Sequence, residues 1–274
     1  MSEAVNLDNI YVVLSETKGP MNVGAVARAM NNMGLRELAL VNPCEYTSNE
    51  ARKMASGCND TLLGAGVFSS TKEAVASAGF VVGMTCRTGK YRKDAVTPEV
   101  MAGVLLPLSQ NNRIALLFGT ERTGLTNDEI ALCDMLVTIP SSALNVSLNL
   151  AQAVLLVCYE IFKASSDADQ APLPEAALLA TSAELEQMYE HMEDVFGRIG
   201  YLDRQNPGHI MMSIRNIFAR AHLDSRDVKI IRGMIGKIDC YRKWIEGDRK
   251  KRRVLREDAL MDASPADSKI NEKG

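Results

Sequence analysis

The chain of 274 residues has no histidine before His191. Its first two thirds therefore hold no conventional imidazole base, and any such group has to come from His191, His209 or His222, for instance across a dimer. The six cysteines, Cys44, Cys58, Cys86, Cys133, Cys158 and Cys240, stand far apart, with no CxxC pair and no histidine-containing cluster. That scatter argues for reduced thiols and against a zinc centre. Apolar stretches such as 79–83 and 114–118 fall far short of the roughly 20 residues that span a bilayer. The opening MSEAVNLDNIYVVL is acidic where a secretory signal is basic, so the expectation is a cytoplasmic protein without a membrane segment. Neither GxGxxG nor a Walker pattern occurs, which leaves dinucleotide or nucleotide-phosphate binding without motif support.

Hydrophobic residues make up 46% of the chain and charged residues 24%, the proportions of a globular protein rather than a disordered one. The formal net charge of -3 conceals an asymmetry: residues 198–256 carry 16 Lys plus Arg against 6 Asp plus Glu, while the rest of the chain is acidic. A local basic surface suits a phosphate-rich partner, although a solvated helix face produces the same composition.

Short apolar runs at 10–14, 38–41, 80–84, 114–118 and 136–139 read as strands. Segments 22–33, 98–106, 127–133 and 148–162 supply helices between and after them. Strands and helices alternating over short connections predict an α/β domain with a parallel sheet covered on both faces. Residues 164–180 are rich in alanine, contain two prolines and lack Lys and Arg, as a linker or loose crossover would. Helical segments follow at 182–196, 210–222 and 226–244, and the polar tail is expected to be disordered. The expected organisation is an α/β domain over 1–163, a linker over 164–180, a small all-α domain over 181–256 and a tail over 257–274.

Polar clusters fall just after strands, where ligands bind in such sheets. The first is GPMNVGAVAR at 19–28. Asn22 reads as a helix N-cap, Gly24 as a point of close approach, and Arg28 as a guanidinium near the sheet edge, with plain capping and ion pairing as the alternative. The second, LFGTERTGL at 117–125, sets two glycines, backbone donors and Glu121 behind a buried strand. The third, IPSSALNVSLNLA at 139–151, has more hydroxyl and amide groups than helix capping needs, and the surplus points to a ligand pocket.

NVGAVARAM, LFGTERTGL and SLNLAQAV, in this order and spacing, resemble the three motifs of the SpoU/TrmH branch of the SPOUT methyltransferases. SIRNIFARAH at 213–222 and IIRGMIGKI at 230–238 are similar to the TrmJ subgroup, which methylates the ribose 2'-hydroxyl of tRNA position 32. The resemblance covers about residues 8–245. It implies a SPOUT-type parallel sheet with a deep trefoil knot on its C-terminal side, over about 117–162, and S-adenosyl-L-methionine bound there without a metal. It also implies a homodimer that shares its tRNA site between subunits. General topology rules disfavour a knot, so the knot rests on the resemblance alone.

Position by position, the resemblance implies catalytic roles for Arg28, Asn22, Glu121, Ser147 and Asn149. Arg28 matches the central catalytic arginine. A guanidinium stays protonated and is a poor base, so a phosphate clamp that also stabilises the developing oxyanion is the preferred role. Asn22 matches the residue beside the reacting ribose, and Glu121 a carboxylate that orders the pocket or contacts Arg28. Cofactor contacts are expected from Gly83, Met84, Thr85, Gly119, Glu121, Ile139, Ser147 and Leu148. RNA contacts are expected from Arg87, Lys90, Arg92 and Lys93 in the loop 86–94 and from Arg215 and Arg220, with the basic run 249–253 as either a further grip or a solubilising tail. Val146 departs from the tyrosine or serine common in the subgroup and leaves the nucleobase preference open. The expected reaction is methyl transfer to the 2'-hydroxyl of cytidine or uridine 32 of tRNA. The alternatives are another RNA such as rRNA, a nonenzymatic RNA-binding protein and, with least support, a nucleotide-dependent metabolic enzyme.

Overall fold

The computed structural model describes residues 6–86, 95–144, 146–167, 177–202 and 207–262. Strands β1 (Ile10–Ser15), β2 (Glu37–Val41), β3 (Gly66–Phe68), β4 (Phe80–Met84), β5 (Ile114–Phe118) and β6 (Met135–Val137) form one sheet in the order β3-β2-β1-β5-β4-β6. Every pairing is parallel, as in Val12 against Leu38 on one side and Leu116 on the other. Both faces are covered, which is why the strands read as unbroken apolar runs. Ile10, Val12 and Leu14 point to one core with α1 (Pro20–Asn32), α2 (Asn49–Ala55), α3 (Asn59–Leu63), α5 (Pro98–Leu108) and α7 (Leu150–Asp167). Tyr11 and Val13 point to the other, with α4 (Thr71–Val75) and α6 (Asn127–Ala131).

The strands at 10–14, 38–41, 80–84 and 114–118 and the helices around them appear as the sequence predicts. Four elements between β2 and β4 do not announce themselves: α2, α3, β3 and α4 are too short to show a hydrophobic period. Gly24 does mark a close approach, but of α2 rather than of a ligand. A Cβ there would lie 2.0 Å from the Ala51 carbonyl oxygen.

Helices α8 (Ser182–Arg198), α9 (Pro207–Ala219) and α10 (Ser225–Asp262) enclose a third core around Met188, Tyr189, Val195, Met211, Val228 and Ile235. Two expected boundaries move: α7 continues past residue 163 to Asp167, and α10 continues past residue 256 to Asp262. The helical unit docks on the N-terminal side of the sheet. Ser182 N donates to Ala78 O (2.7 Å) just ahead of β4, and His222 stacks on Phe80, the first residue of β4, at 5.7 Å. Buried Asn112 fastens the approach to α8, donating to Ala177 O and accepting from Leu179 N at 2.8 Å. Among the described residues no helix is long and apolar enough to cross a membrane.

Candidate active site

In a parallel sheet all strands end at one edge. β1 and β5 are neighbours, yet the chain leaves β1 toward β2 on one side and β5 toward β6 on the other. A reversal of this kind opens a crevice between the loops that follow the two strands. The loop after β1, 16–19, leads into the first polar cluster, and the loop after β5, 119–125, carries most of the second.

Glu121 bridges the crevice. Its carboxylate accepts from Asn22 Nδ2 (3.0 Å) and from the backbone N–H groups of Gly19 and Lys18 (3.3 Å each). Partial burial raises the carboxyl pKa, but these hydrogen bonds to the charged form outweigh it, and the net shift is downward. Asn22 Oδ1 in turn accepts from Asn149 Nδ2 (3.1 Å), and Asn149 Oδ1 accepts from Ala151 N (2.9 Å) and Gln152 N (3.4 Å). Asn149 thereby caps α7. One hydrogen-bonded chain, Glu121–Asn22–Asn149, ties the three polar clusters together.

The structure corrects the capping role expected of Asn22. Gly19 occupies the N-cap position and Pro20 starts α1, so Asn22 lies within the first helical turn. Proline suits that start because its missing N–H would be unsatisfied there in any case. The Asn22 side chain is thus free to link the other two loops.

Beside this chain lies an open cleft. Met84, Phe118, Leu125, Val137, Ile139 and Leu150 give it apolar walls, while Thr85, Thr120, Glu121, Arg122, Thr123 and Ser147 supply polar groups. Of the expected cofactor contacts, Met84, Thr85, Gly119, Glu121, Ile139, Ser147 and Leu148 line the cleft, and so does Val146. Gly83 does not. A Cβ on Gly83 would lie 2.5 Å from Cys133 Sγ and 3.0 Å from Leu125 Cδ1, so this glycine makes room for packing beneath the cleft.

Arg28 is exposed and makes no hydrogen bond or ion pair with a described residue. Of the two roles expected of Glu121, ordering the pocket and contacting Arg28, the structure therefore shows the first and not the second. At helical pitch, a residue six positions after Asn22 is turned about 240° from it and stands roughly 9 Å farther along the axis.

Arg215 is also not where it was expected. Its guanidinium forms a two-pronged ion pair with buried Glu186, lies over the Tyr189 ring at 4.2 Å and reaches the Ala131 carbonyl (3.5 Å). It holds the helical unit to α6, and its charge is paired within the chain. Arg220 is exposed just beyond α9. Arg87, Lys90, Arg92 and Lys93 lie outside the described residues, and the run 249–253 falls within α10. His222 is at the far end of β4 from the cleft. Among the described residues no group of three or more His, Cys, Asp or Glu is placed to hold a metal ion.

The sequence reading assigned no role to two further features. Arg122 stands in the cleft wall. On α10, Ile230, Met234, Ile238, Tyr241 and Trp244 are exposed where Val228 and Ile235 are buried, and the rings of Tyr241 and Trp244 stack at 6.0 Å. Their helical spacing was visible in the sequence, but the face that turns outward was not.

Residues 9–159 match the model of the SpoU rRNA Methylase family, and residues 183–252 match that of the tRNA methyltransferase TrmJ C-terminal domain. The tRNA (cytidine/uridine-2'-O-)-methyltransferase TrmJ of Sodalis glossinidius is 36% identical over 239 residues, spanning 86% of this chain and 94% of its own. Its counterpart from Yersinia pestis (strain Pestoides F) is 36% identical over 242 residues, 87% of this chain and 94% of its own. The crystal structure of TrmJ from Z. mobilis ZM4 superposes with a TM-score of 0.73 at 33% identity, covering 84% of this chain and 98% of that one. With a family match over more than half its length and relatives of this identity along most of it, the chain belongs to the SpoU methylase family.

Proposed function

We propose that the protein is an S-adenosyl-L-methionine-dependent tRNA 2'-O-methyltransferase that acts on cytidine or uridine at position 32. The observation that carries this reading is the Glu121–Asn22–Asn149 chain, which assembles three sequence-distant loops beside one cleft. The cleft fits the cofactor by its chemistry: apolar walls suit an adenine ring, and hydroxyl and backbone groups suit the ribose and amino-acid parts. The relatives' names supply the substrate class, tRNA, and the ribose position. A SPOUT-type trefoil knot around the cleft belongs to the same reading.

When bound, the cofactor supplies an electrophilic methyl group on a sulfonium. The chain's own part is to align a ribose hydroxyl with it and to hold the developing charge. Asn22, locked by Glu121 on one side and Asn149 on the other, offers a pre-oriented amide beside the reacting ribose. Arg28 clamps the neighbouring phosphate and stabilises the oxygen as its proton leaves to phosphate or water.

The protein works as a homodimer in this proposal. Leu155, Tyr159 and Phe162 form an exposed apolar stripe on α7, with exposed Met21 at the start of the adjoining α1. Pairing along these helices covers the stripe and carries Arg28, which is absent from the wall of its own cleft, toward the cleft of the second copy. The helical unit sits at the sheet edge opposite its own cleft, so a tRNA site shared between subunits also favours a dimer. Arg220 and the exposed Lys237, Tyr241 and Trp244 are the proposed RNA-facing groups among the described residues. A cytoplasmic location follows from the substrate.

The test is methylation of unmodified total tRNA with labelled cofactor, followed by nucleoside identification and positional mapping. The expected product is 2'-O-methylcytidine or 2'-O-methyluridine at position 32. A ribose methyl elsewhere overturns the position and keeps the chemistry. A product in rRNA alone favours the broader activity that the family's description names.

A further inference from the structure

Among the described residues that line the cleft, only Glu121 and Arg122 carry a formal charge. Glu121 points inward, its carboxylate engaged by Asn22, Gly19 and Lys18. Arg122 is exposed and makes no hydrogen bond or ion pair with a described residue. Its backbone is nevertheless held firmly. Gly124 N donates to Thr120 O (2.9 Å), Thr123 N donates to Thr120 Oγ1 (3.1 Å), and the two threonine hydroxyls lie 2.6 Å apart. Immediately beyond, Thr126 and Glu129 form the capping box that starts α6. Arg122 therefore projects from the tip of a closed turn anchored at both ends.

A guanidinium in the wall of a cleft, carried by an anchored turn and with donors unsatisfied by the described residues, selects for an oxyanion. Two oxyanions come near in the proposed reaction, the carboxylate of the cofactor's amino-acid part and an RNA phosphate. Arg122 belongs to the cleft wall, whereas Arg28 lies outside it and is the residue proposed above for the RNA phosphate. We infer that Arg122 binds the α-carboxylate of S-adenosyl-L-methionine and thereby fixes which end of the cofactor faces this wall of the cleft. The inference rests on the cofactor reading of the cleft given above. It assigns Arg122 a cofactor-orienting role, since a cation there favours the carboxylate end and repels the sulfonium.

The experiment is calorimetric titration of the full-length wild type, Arg122→Gln and Arg122→Lys. The ligands are S-adenosylhomocysteine, its decarboxylated counterpart S-adenosyl-3-thiopropylamine, and unmodified tRNA. Wild type is expected to bind the carboxylate-bearing ligand about tenfold or more tightly than the decarboxylated one, the size of one charge-assisted hydrogen bond. Arg122→Gln is expected to lose that preference by binding only the first ligand more weakly, Arg122→Lys to recover part of it, and tRNA affinity to stay unchanged. Equal losses for both nucleosides, or no loss for either, overturn the assignment. Loss confined to tRNA also overturns it and makes Arg122 a phosphate contact. A wild type that binds neither nucleoside brings down the cofactor reading itself, an outcome distinct from a failure of Arg122 alone. Unchanged melting temperatures for the variants separate ligand effects from unfolding.

Discussion

Two glutamates organise two regions of this molecule by opposite means. Glu121, in the cleft wall, is satisfied entirely by uncharged donors, the Asn22 amide and two backbone N–H groups. Glu186, between the helical unit and the sheet, is satisfied by cations: Arg215 in a two-pronged pair and Lys72 Nζ at 3.7 Å. Cations around Glu186 are committed to docking. Glu121 consumes no cation, and Arg122 beside it in the cleft wall and Arg28 outside that wall are both left without a partner among the described residues. Unpaired cations suit a site proposed to receive phosphate and carboxylate, and paired ones suit a joint that only holds together.

The sharpest way to break this contrast is at Arg28. Arg28→Ala is expected to lower kcat about 10²–10³-fold, the usual effect of removing a transition-state charge stabiliser. Its affinity for S-adenosylhomocysteine and its melting temperature should stay at wild-type values. Arg28→Lys should fall between, and a lysine enzyme with full activity would remove the case for a two-pronged clamp. At the joint the pattern reverses. Arg215→Met is expected to cost about 3 kcal/mol in urea unfolding, because it leaves Glu186 buried without its main partner. Cofactor affinity should survive, and adding Glu186→Gln should restore part of the loss.

Glu121→Gln should cost less, about 1–2 kcal/mol at neutral pH, since an amide still accepts hydrogen bonds but without charge. The folded carboxyl titrates below its ordinary value of 4.5, so its contribution is present above that value and is lost as pH falls through the lowered one. Wild type and variant should therefore converge in acid; a gap that stays constant with pH would show that charge plays no part.

The smallest expected effect concerns Asp134, whose carboxylate accepts from Val81 N at 2.8 Å. Burial pushes its pKa from 3.8 up to about 7, against the opposing pull of that hydrogen bond. Here the sign is opposite: the stabilising contribution is complete below 3.8 and is lost as pH rises through about 7. Asp134→Asn keeps an acceptor and removes the charge. It should raise the melting temperature by about 2–4 °C at pH 8, the equivalent of ~1 kcal/mol, with the gain fading near pH 4.

Much of the fold was readable because burial on both faces leaves a direct trace. β1, β2, β4 and β5 are apolar runs, and the first two polar clusters come at the ends of β1 and β5. Elements held by a few contacts leave none: α3 and α4 have five residues each and β3 has three. The site residues divide in the same way. Glu121 and Ser147 follow strands through loops and Met84 closes β4, and all three line the cleft as expected. Arg28, Arg215 and Gly83 were misplaced because each lies inside a helix or strand, where the direction of a side chain depends on what packs beside it. Asn22 was a natural cap by residue type, but Pro20 and Gly19 start the helix before it.

Residue order alone determined the alternating α/β pattern, the basic C-terminal region and the three polar loops with their family motifs. These are local properties, set by hydrophobic period, composition and chain neighbours. Only the tertiary structure decided that β1 and β5 lie side by side, and so that Glu121 reaches Asn22 across 99 positions of sequence. It also decided which arginines are paired and which remain open. A cation's partner is chosen by through-space distance and by the water that packing excludes, and neither is written in sequence spacing.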